Sequence, residues 1–223
     1  MDKPYSPSSE RNRTPILTVL QQHLTRRLNL LEIGSGTGQH AVYFAAAMPH
    51  LRWQTSDVAQ NLPGIQQWLD EAALSNTPAP LALDVSLPLA AEVLQTRYDA
   101  VYTANTLHIM SWEEVQHLFA ALPMLLTENA LLIIYGPFNY KGKFTSESNA
   151  QFDASLRSTQ PHRGIRDFEA VEALALTAGL RLLEDVSMPA NNRCLIWRKM
   201  SVGEALGARV VRPDAEPPGA TAA

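Results

Sequence analysis

Apolar residues along this chain recur in two alternating patterns. Short, mostly apolar runs at 28–33, 81–83, 98–103 and 130–135 predict buried strands, and Leu51 to Ser56 reads as another strand ending at Asp57. Between them, apolar residues fall three and four apart, the spacing that gives a helix one buried stripe. Such stripes predict helices over about 38–48 and 61–74, and a short one from near Leu89. Val115, Leu118, Phe119 and Leu122 give another helix its inner face, with Ser111 and Glu114 as a capping box. Pro123 should kink or end it. Asp167 opens a helix with Val171, Leu174, Ala175 and Ala178 on one face. Two last runs, 180–186 and 194–199, are joined by MPANNR and read as a strand pair.

The two ends depart from this rhythm. Residues 1–13 are polar and proline-bearing and predict an extended arm. Thr14 and Pro15 read as the N-cap and first residue of a helix whose face is Ile16, Leu17, Leu20 and Leu24. Residues 201–223 end in RPDAEPPGATAA and read as a flexible tail. The expected organisation is an arm and helix over 1–27, an α/β domain over 28–200, and that tail. Strands alternating with helices imply a mostly parallel sheet with helices on both faces. The closing pair adds one antiparallel strand. One segment breaks the alternation, an insertion over about 137–165. It runs to about 30 residues where loops usually take about 4–6. Asn149 can cap a short helix there, with Phe152 and Leu156 inward. An insertion above the carboxyl edge of a sheet is a natural lid or substrate pocket.

Composition narrows the class. Hydrophobic residues make up 46% of the chain and its net charge is −4. No dense Lys/Arg cluster offers a footprint for a polyanion, so no nucleic-acid partner is expected. The first residues lack the apolar core of a secretory signal, and no run approaches the ~18 apolar residues of a membrane span. The expectation is a soluble cytoplasmic protein with no membrane partner. The single cysteine, Cys194, lies in the apolar run CLIW and reads as a buried strand thiol. The histidines show no metal-ligand spacing, and no metal is expected.

The densest chemical signal is LLEIGSGTGQH. Gly34, Gly36 and Gly38 follow a predicted strand and open a predicted helix. Glycines so placed let the chain turn tightly and let a ligand approach the main chain. A dinucleotide fingerprint needs a further glycine three residues after the second; that position is Gln39. Here an acid, Glu32, stands two residues before the first glycine. This E-x-G-x-G-x-G pattern resembles the first motif of class I methyltransferases, which bind S-adenosylmethionine. The resemblance implies that Gly34, Ser35, Gly36 and Gly38 lie against the ligand's ribose and methionine end, with Glu32 ordering the methionine part.

Ligands of open parallel sheets bind past the carboxyl ends of the strands. Asp57 stands at such an end, and a carboxylate can accept two ribose hydroxyls in a fork. By the same resemblance, Asp84 accepts from the adenine amino group and Val85 offers a main-chain N–H. Each acid also has the plainer role of capping the following helix; three in register with the fold point to a ligand. The fourth strand ends TANTLHIMSW. Asn105 is expected where the methyl group meets the acceptor, and His108 is a candidate general base, since a free imidazole titrates near neutrality. The plainer alternative is a loop histidine bonded to a carbonyl or packed on Trp112. His40 reads as structural or cofactor-adjacent.

Beyond these motifs, KPYSPSSERNRTPIL, NTLHIMSW, YGPFNYKGKFTSESNAQFDASLR and MPANN are similar to bacterial relatives of methyltransferase-like protein 26. The similarity spans residues 3 to about 199. It implies a Rossmann-like class I methyltransferase fold, a seven-stranded mostly parallel sheet, and S-adenosylmethionine as cofactor. It implies that the arm bearing Glu10, Arg11 and Asn12 closes over the cofactor, with Asn12 among the binding residues. Asn191 and Asn192 match the family's late loop and line the same pocket; Asn139, Tyr140 and Asn192 are candidate substrate contacts. The expected function is methyl transfer to a small-molecule nucleophile. The alternatives are a non-catalytic S-adenosylmethionine-binding or scaffold protein, and an NAD-dependent oxidoreductase.

Overall fold

A computed structural model describes residues 3–201, 203 and 204. Seven strands form one sheet in the order β3-β2-β1-β4-β5-β9-β8. They are β1 (Asn29–Ile33), β2 (Arg52–Asp57), β3 (Leu81–Ala82), β4 (Tyr98–Ala104), β5 (Leu126–Gly136), β8 (Leu180–Met188) and β9 (Asn192–Lys199). The pairs from β3 to β5 are parallel, and β9 runs antiparallel to both β5 and β8. The expected single antiparallel strand is β9. The order in which strands are added reverses between β1 and β4, so the carboxyl ends of those two parallel strands flank a crevice.

Alternation along the strands divides the core in two. Leu31, Val101, Leu132, Ile134, Leu195 and Trp197 face one side, with α4 (Ala91–Leu94), α5 (Trp112–Leu125) and α7 (Phe168–Thr177). Leu30, Tyr102, Ile133 and Ile196 face the other, with α1 (Pro7–Leu24), α2 (Gln39–Ala47) and α3 (Leu62–Ala72). Successive strand residues point to opposite faces, so a sheet covered on both sides must be apolar at every step. That is why the inner parts of β4, β5 and β9 read as nearly continuous apolar runs, whereas β2 buries Gln54, Thr55 and Ser56. Cys194 is buried, as expected. No helix among the described residues is long and apolar enough to cross a membrane.

Three local readings are corrected. The arm is not extended over 1–13: α1 begins at Pro7, and the Ser6 hydroxyl accepts the Ser9 N–H as its cap. Pro15 lies inside that helix, so Thr14 does not start it. Ser6–Pro7 and Thr14–Pro15 carry the same cap-and-proline signal. Packing on α2 selects the first, at the expense of the one backbone hydrogen bond that Pro15 cannot donate. The insertion holds the short parallel pair β6 (Phe138–Asn139) and β7 (Arg166–Asp167) and the helix α6 (Glu147–Thr159). Ser146, not Asn149, caps α6. Its buried face carries Asn149, Asp153 and Leu156, whereas Phe152 is 41% exposed. The third correction is at α5: its capping box forms as expected, but Pro123 is accommodated within the last turn and β5 follows directly at Leu126. The expectation for the tail falls outside the described residues from 205 onward.

Candidate functional site

A cleft of about 1420 Å³ opens over the carboxyl ends of β1 and β4. One wall is the glycine turn. Gly34 and Gly36 have φ of +72° and +60°, a conformation costly to any residue with a Cβ. A Cβ on Gly34 would lie 2.8 Å from the Thr106 side chain, so this glycine allows the turn to pack on the β4 loop. A Cβ on Gly36 would meet nothing within 4 Å; there the main chain is bare to the cleft.

Glu32 sits under this turn, 2% exposed and open to the cleft. Its Oε2 accepts from Ser35 Oγ at 3.0 Å and Trp53 Nε1 at 2.9 Å. Burial outweighs these bonds and, helped by the nearby Asp57 charge, raises its pKa to about 7. Its other oxygen has no protein donor, so the group is an incompletely neutralised carboxylate facing the cavity. Asp57 is buried and braces the turn. Its Oδ2 accepts the Gly36 N–H at 2.7 Å, and its Oδ1 accepts Val58 N–H at 2.8 Å and Asn61 Nδ2 at 2.9 Å. Three of roughly four acceptor directions are filled, and Asp57 is not among the residues lining the cleft, so it supports the turn rather than presenting the expected free fork. Gly38 is not at the lining either: a Cβ there would lie 3.2 Å from Ile65 Cα, so this glycine packs on α3. Asn61 and Gln60 line the cleft beside Asp57, and no motif marked them.

The structure does not bring Asp84 or Val85 to the cleft lining. Asp84 Oδ1 accepts the Ser86 N–H of its own turn at 2.9 Å, and Val85 packs on the core. The orientation of this short turn carries no sequence signal.

Asn105 and His108 do converge. Asn105 holds φ of +57°, and its N–H donates to the Tyr135 carbonyl at 2.8 Å. Asn105 Oδ1 and His108 Nδ1 lie 3.9 and 3.8 Å from the point where a side chain on Gly136 would begin. The His108 ring meets Phe152 edge to face at 5.3 Å, and Phe152, not Trp112, is its aromatic neighbour. Burial, then the charges of Arg166 and Arg163, lower the His108 pKa to about 4. His108 is therefore neutral at physiological pH and a far weaker base than a free imidazole.

Arg166 comes from the insertion and holds this loop. Its Nε donates to the Leu107 carbonyl at 3.0 Å, and its Nη2 donates to the Met110 and His162 carbonyls. Gly164 N–H donates to the His108 carbonyl at 3.0 Å. Asp153 in turn accepts from Arg157 and from the Ile165 N–H. Nothing in the sequence singled out Arg166, because carbonyls as partners leave no pattern.

The arm forms another wall. Arg11 and Asn12 line the cleft; Glu10 pairs with Arg13 instead. Asn12 Oδ1 bonds His40 Nε2 at 2.7 Å, and burial lowers the His40 pKa to about 4. The segment before α1 is strapped down: Trp68 Nε1 donates to the Pro4 carbonyl at 2.7 Å, and Lys3 lies over the Trp68 ring and pairs with Glu71. Asn192 lines the far rim, in the turn between β8 and β9. Asn191 lies off the cleft and ties that turn to α6 through Ser148. Asn139 and Tyr140 are not at the cleft. Asn139 is buried in β6, and the Tyr140 hydroxyl donates to Asp185 at 2.7 Å while its ring stacks on Phe168. Among the described residues, no three His, Cys, Asp or Glu side chains gather as a metal site.

This sheet order, with ligand-accessible glycines at the end of the first strand, defines a Rossmann-like fold of the class I methyltransferase type. A family profile described as "Protein of unknown function (DUF938)" matches residues 3–199, and the chain belongs to that family. Solved structures share the fold at low identity. An O-methyltransferase family protein from Burkholderia thailandensis superimposes with a TM-score of 0.74 at 16% identity, covering 87% of this chain and 57% of that one. An O-methyltransferase family 2 protein from Planctomyces limnophilus, in complex with apigenin, gives 0.73 at 15% identity, covering 86% and 58%. Human N-acetylserotonin methyltransferase, in complex with S-adenosylmethionine, gives 0.72 at 14%, covering 87% and 53%. The chain thus spans somewhat over half the length of these proteins.

Proposed function

We propose that this protein transfers a methyl group from S-adenosylmethionine to a small-molecule nucleophile. The observation that carries the reading is the glycine turn with Glu32 beneath it, both open to one large cleft. The residues fit that cofactor. Glu32 offers an unpaired carboxylate oxygen to the methionine ammonium, and ionisation of a buried acid is favoured by such a cation. Gly36 leaves the main chain bare where the ribose and methionine end would rest, and Asp57 braces that turn through the Gly36 N–H. Asn12 and Arg11 approach from the arm. The resemblance to relatives of methyltransferase-like protein 26 belongs to the same reading, as do a cytoplasmic location and a small-molecule partner rather than nucleic acid.

When bound, the sulfonium supplies an electrophilic methyl group. The chain's own part is to hold the acceptor in line with it and exclude water. Asn105 and His108 stand on the floor of the other half of the cleft and can hydrogen-bond the acceptor atom. A neutral His108 can do so as donor or as acceptor. Phe152 and Tyr135 give that half its apolar walls.

Gln39 speaks against a dinucleotide. It is buried at the start of α2, where a pyrophosphate would approach, and its Oε1 already accepts the Ser6 N–H and the Thr37 hydroxyl. A silent cofactor-binding scaffold remains the second reading, favoured by the weak basicity of His108. Thermal unfolding with S-adenosylmethionine, its demethylated product and NAD tests the proposal. The first two should stabilise the fold by about 2.7 kcal/mol at 100 times their dissociation constants. A response to NAD alone would overturn it.

A further inference from the structure

The two halves of the cleft differ in charge. Among the described residues lining it, Glu32 is the one carboxylate and lies at the glycine end, while Arg11 is the one lysine or arginine. The acceptor half has walls from Phe152, Tyr135, Ile109, Pro137 and Pro189, and no carboxylate. Behind it the insertion places guanidinium groups. Arg166 bonds the carbonyls of Leu107 and Met110, on either side of His108. Arg163 lies next to Gly164, whose N–H holds the His108 carbonyl; its Nε is buried without an acceptor. The carboxylates nearby are Asp153, paired with Arg157 at 2.7 Å, Glu114, bonded to the Ser111 N–H and the Ser86 hydroxyl, and Asp167, next to Arg166 in β7. None of the three lines the cleft. At His108 itself, the Arg166 and Arg163 charges both act against a proton.

Burial in an apolar site penalises any charge; two guanidinium groups behind it offset that penalty for an anion and add to it for a cation. These charges, acting after burial to keep a proton off His108, also ease a proton off a bound acid. With no acidic side chain or lysine in this half, the group best served is one that arrives already ionised. We propose that the acceptor is a small aromatic molecule whose nucleophilic thiol, or hydroxyl of comparable acidity, binds as its anion. This rests on the methyltransferase reading above. The acceptor loses its proton to water. Its sulfur or oxygen anion gives an electron pair to the methyl carbon, and the methyl–sulfonium bond breaks with its pair left on the cofactor sulfur. An anion and a cation become two neutral products, which the two guanidinium groups no longer hold. His108 then acts as a positioning residue, a hydrogen-bond donor to the anion, rather than as a base.

The test begins with calorimetry of S-adenosylmethionine on the full chain. No binding would remove the methyltransferase reading, and this proposal with it. Given binding, product formation is followed by mass spectrometry with thiophenol, 4-nitrophenol, phenol, aniline and benzylamine across pH. Thiophenol and 4-nitrophenol should be methylated with kcat/KM at least about tenfold above phenol, the ratio that one pKa unit of acidity supplies. The apparent pKa of the rate profile should change with the acceptor and follow the acceptor's own ionisation. Preference for either amine, one enzyme-borne pKa common to all acceptors, or turnover of none of the five despite cofactor binding would each overturn it.

Discussion

At the glycine end of the cleft, Glu32, Gly34 and Gly36 come from a single stretch, braced by Ser56 and Asp57 from the neighbouring strand. At the acceptor end, His108, Tyr135, Phe152 and Asn192 come from four distant places in the chain. The first end is a local device: each side chain bonds main chain or side chains of its own turn or the next strand. The second is assembled by tertiary packing, with Arg166 and Gly164 of the insertion fixing the loop that carries His108. The local end should therefore respond sharply to single substitutions that leave the rest intact. The assembled end should respond more diffusely.

The largest effect is expected at Glu32. Replacing it by Gln removes the charge that would meet the cofactor ammonium. Losing one partner of a buried charge pair costs about 2–5 kcal/mol, so S-adenosylmethionine affinity should fall by roughly two orders of magnitude. The unliganded protein should behave in the opposite way. With its folded pKa raised to about 7, ionised Glu32 opposes folding above that pH. E32Q should gain stability on the order of 3 kcal/mol at pH 8. Calorimetry and urea unfolding read the two effects separately. Unchanged affinity would mean that Glu32 does not face the ligand.

Gly34 and Gly36 separate packing from ligand space. Gly34→Ala forces φ of +72° on alanine and drives its Cβ to 2.8 Å from Thr106. Strain of this kind costs about 1–3 kcal/mol, and the variant should lose that much stability. Gly36→Ala meets no atom and should cost about 1 kcal/mol from backbone strain alone, while its methyl intrudes on the cleft. Its loss of cofactor affinity should exceed its loss of stability. The reverse ranking would show that the turn faces packed protein rather than ligand.

These contrasts also explain what the sequence made legible. The strands and the glycine turn rest on local periods and spacings, and Glu32 and Asn105 lie at the strand ends where those put them; the order of the strands in the sheet followed only from the resemblance. The start of α1 did not, because Ser6–Pro7 and Thr14–Pro15 are equivalent as signals until α2 is in place. Tyr140 and Asn139 share a segment with cleft residues, yet the pairing of β6 with β7 buries Asn139, and Tyr140 turns toward Asp185 and Phe168. The insertion was legible as a break in the alternation; which of its side chains face the cleft depends on Ser146 rather than Asn149 starting α6.

Protons give a subtler contrast. His40 and His108 have pKa values lowered to about 4, so they take up protons more readily when unfolded. Their stabilising contribution is complete above about pH 6.5 and is lost as pH falls toward 4. Glu32 works the other way, favouring the fold below its ordinary pKa and losing that contribution as pH rises to about 7. Near pH 5.5 the unfolded chain carries about two histidine protons and the folded chain about one on Glu32. Stability should rise by about 1.4 kcal/mol per pH unit there, and in E32Q by about twice that. Urea titrations from pH 5 to 6.5 check the slopes; equal slopes would remove Glu32 from the balance. Cofactor affinity should fall by up to about tenfold per unit below pH 7, as Glu32 takes its proton.

The smallest effect concerns the strap before α1. Pro4 rests on α3 at Gly64, and a Cβ there would meet Pro4 Cγ at 2.6 Å. Gly64→Ala should lift the strap without disturbing the helix, since alanine is the better helix former by about 0.5–1 kcal/mol. The Trp68 bond to Pro4 and the Lys3–Glu71 pair would loosen together. The ion pair is exposed and the Trp68 bond part-buried, and with the helix gain at Gly64 the net change in stability should stay within about 1 kcal/mol. The glycine wall and Glu32 would be untouched, so the cofactor should bind in the same pose but leave sooner. A threefold faster dissociation corresponds to about 0.6 kcal/mol, a change that stopped-flow displacement resolves. If the strap closes over the glycine end, the off-rate rises while the association rate holds or increases. If both rates stay unchanged, Pro4 is a packing contact of α3, and control of the cofactor belongs to Arg11 and Asn12 further along α1.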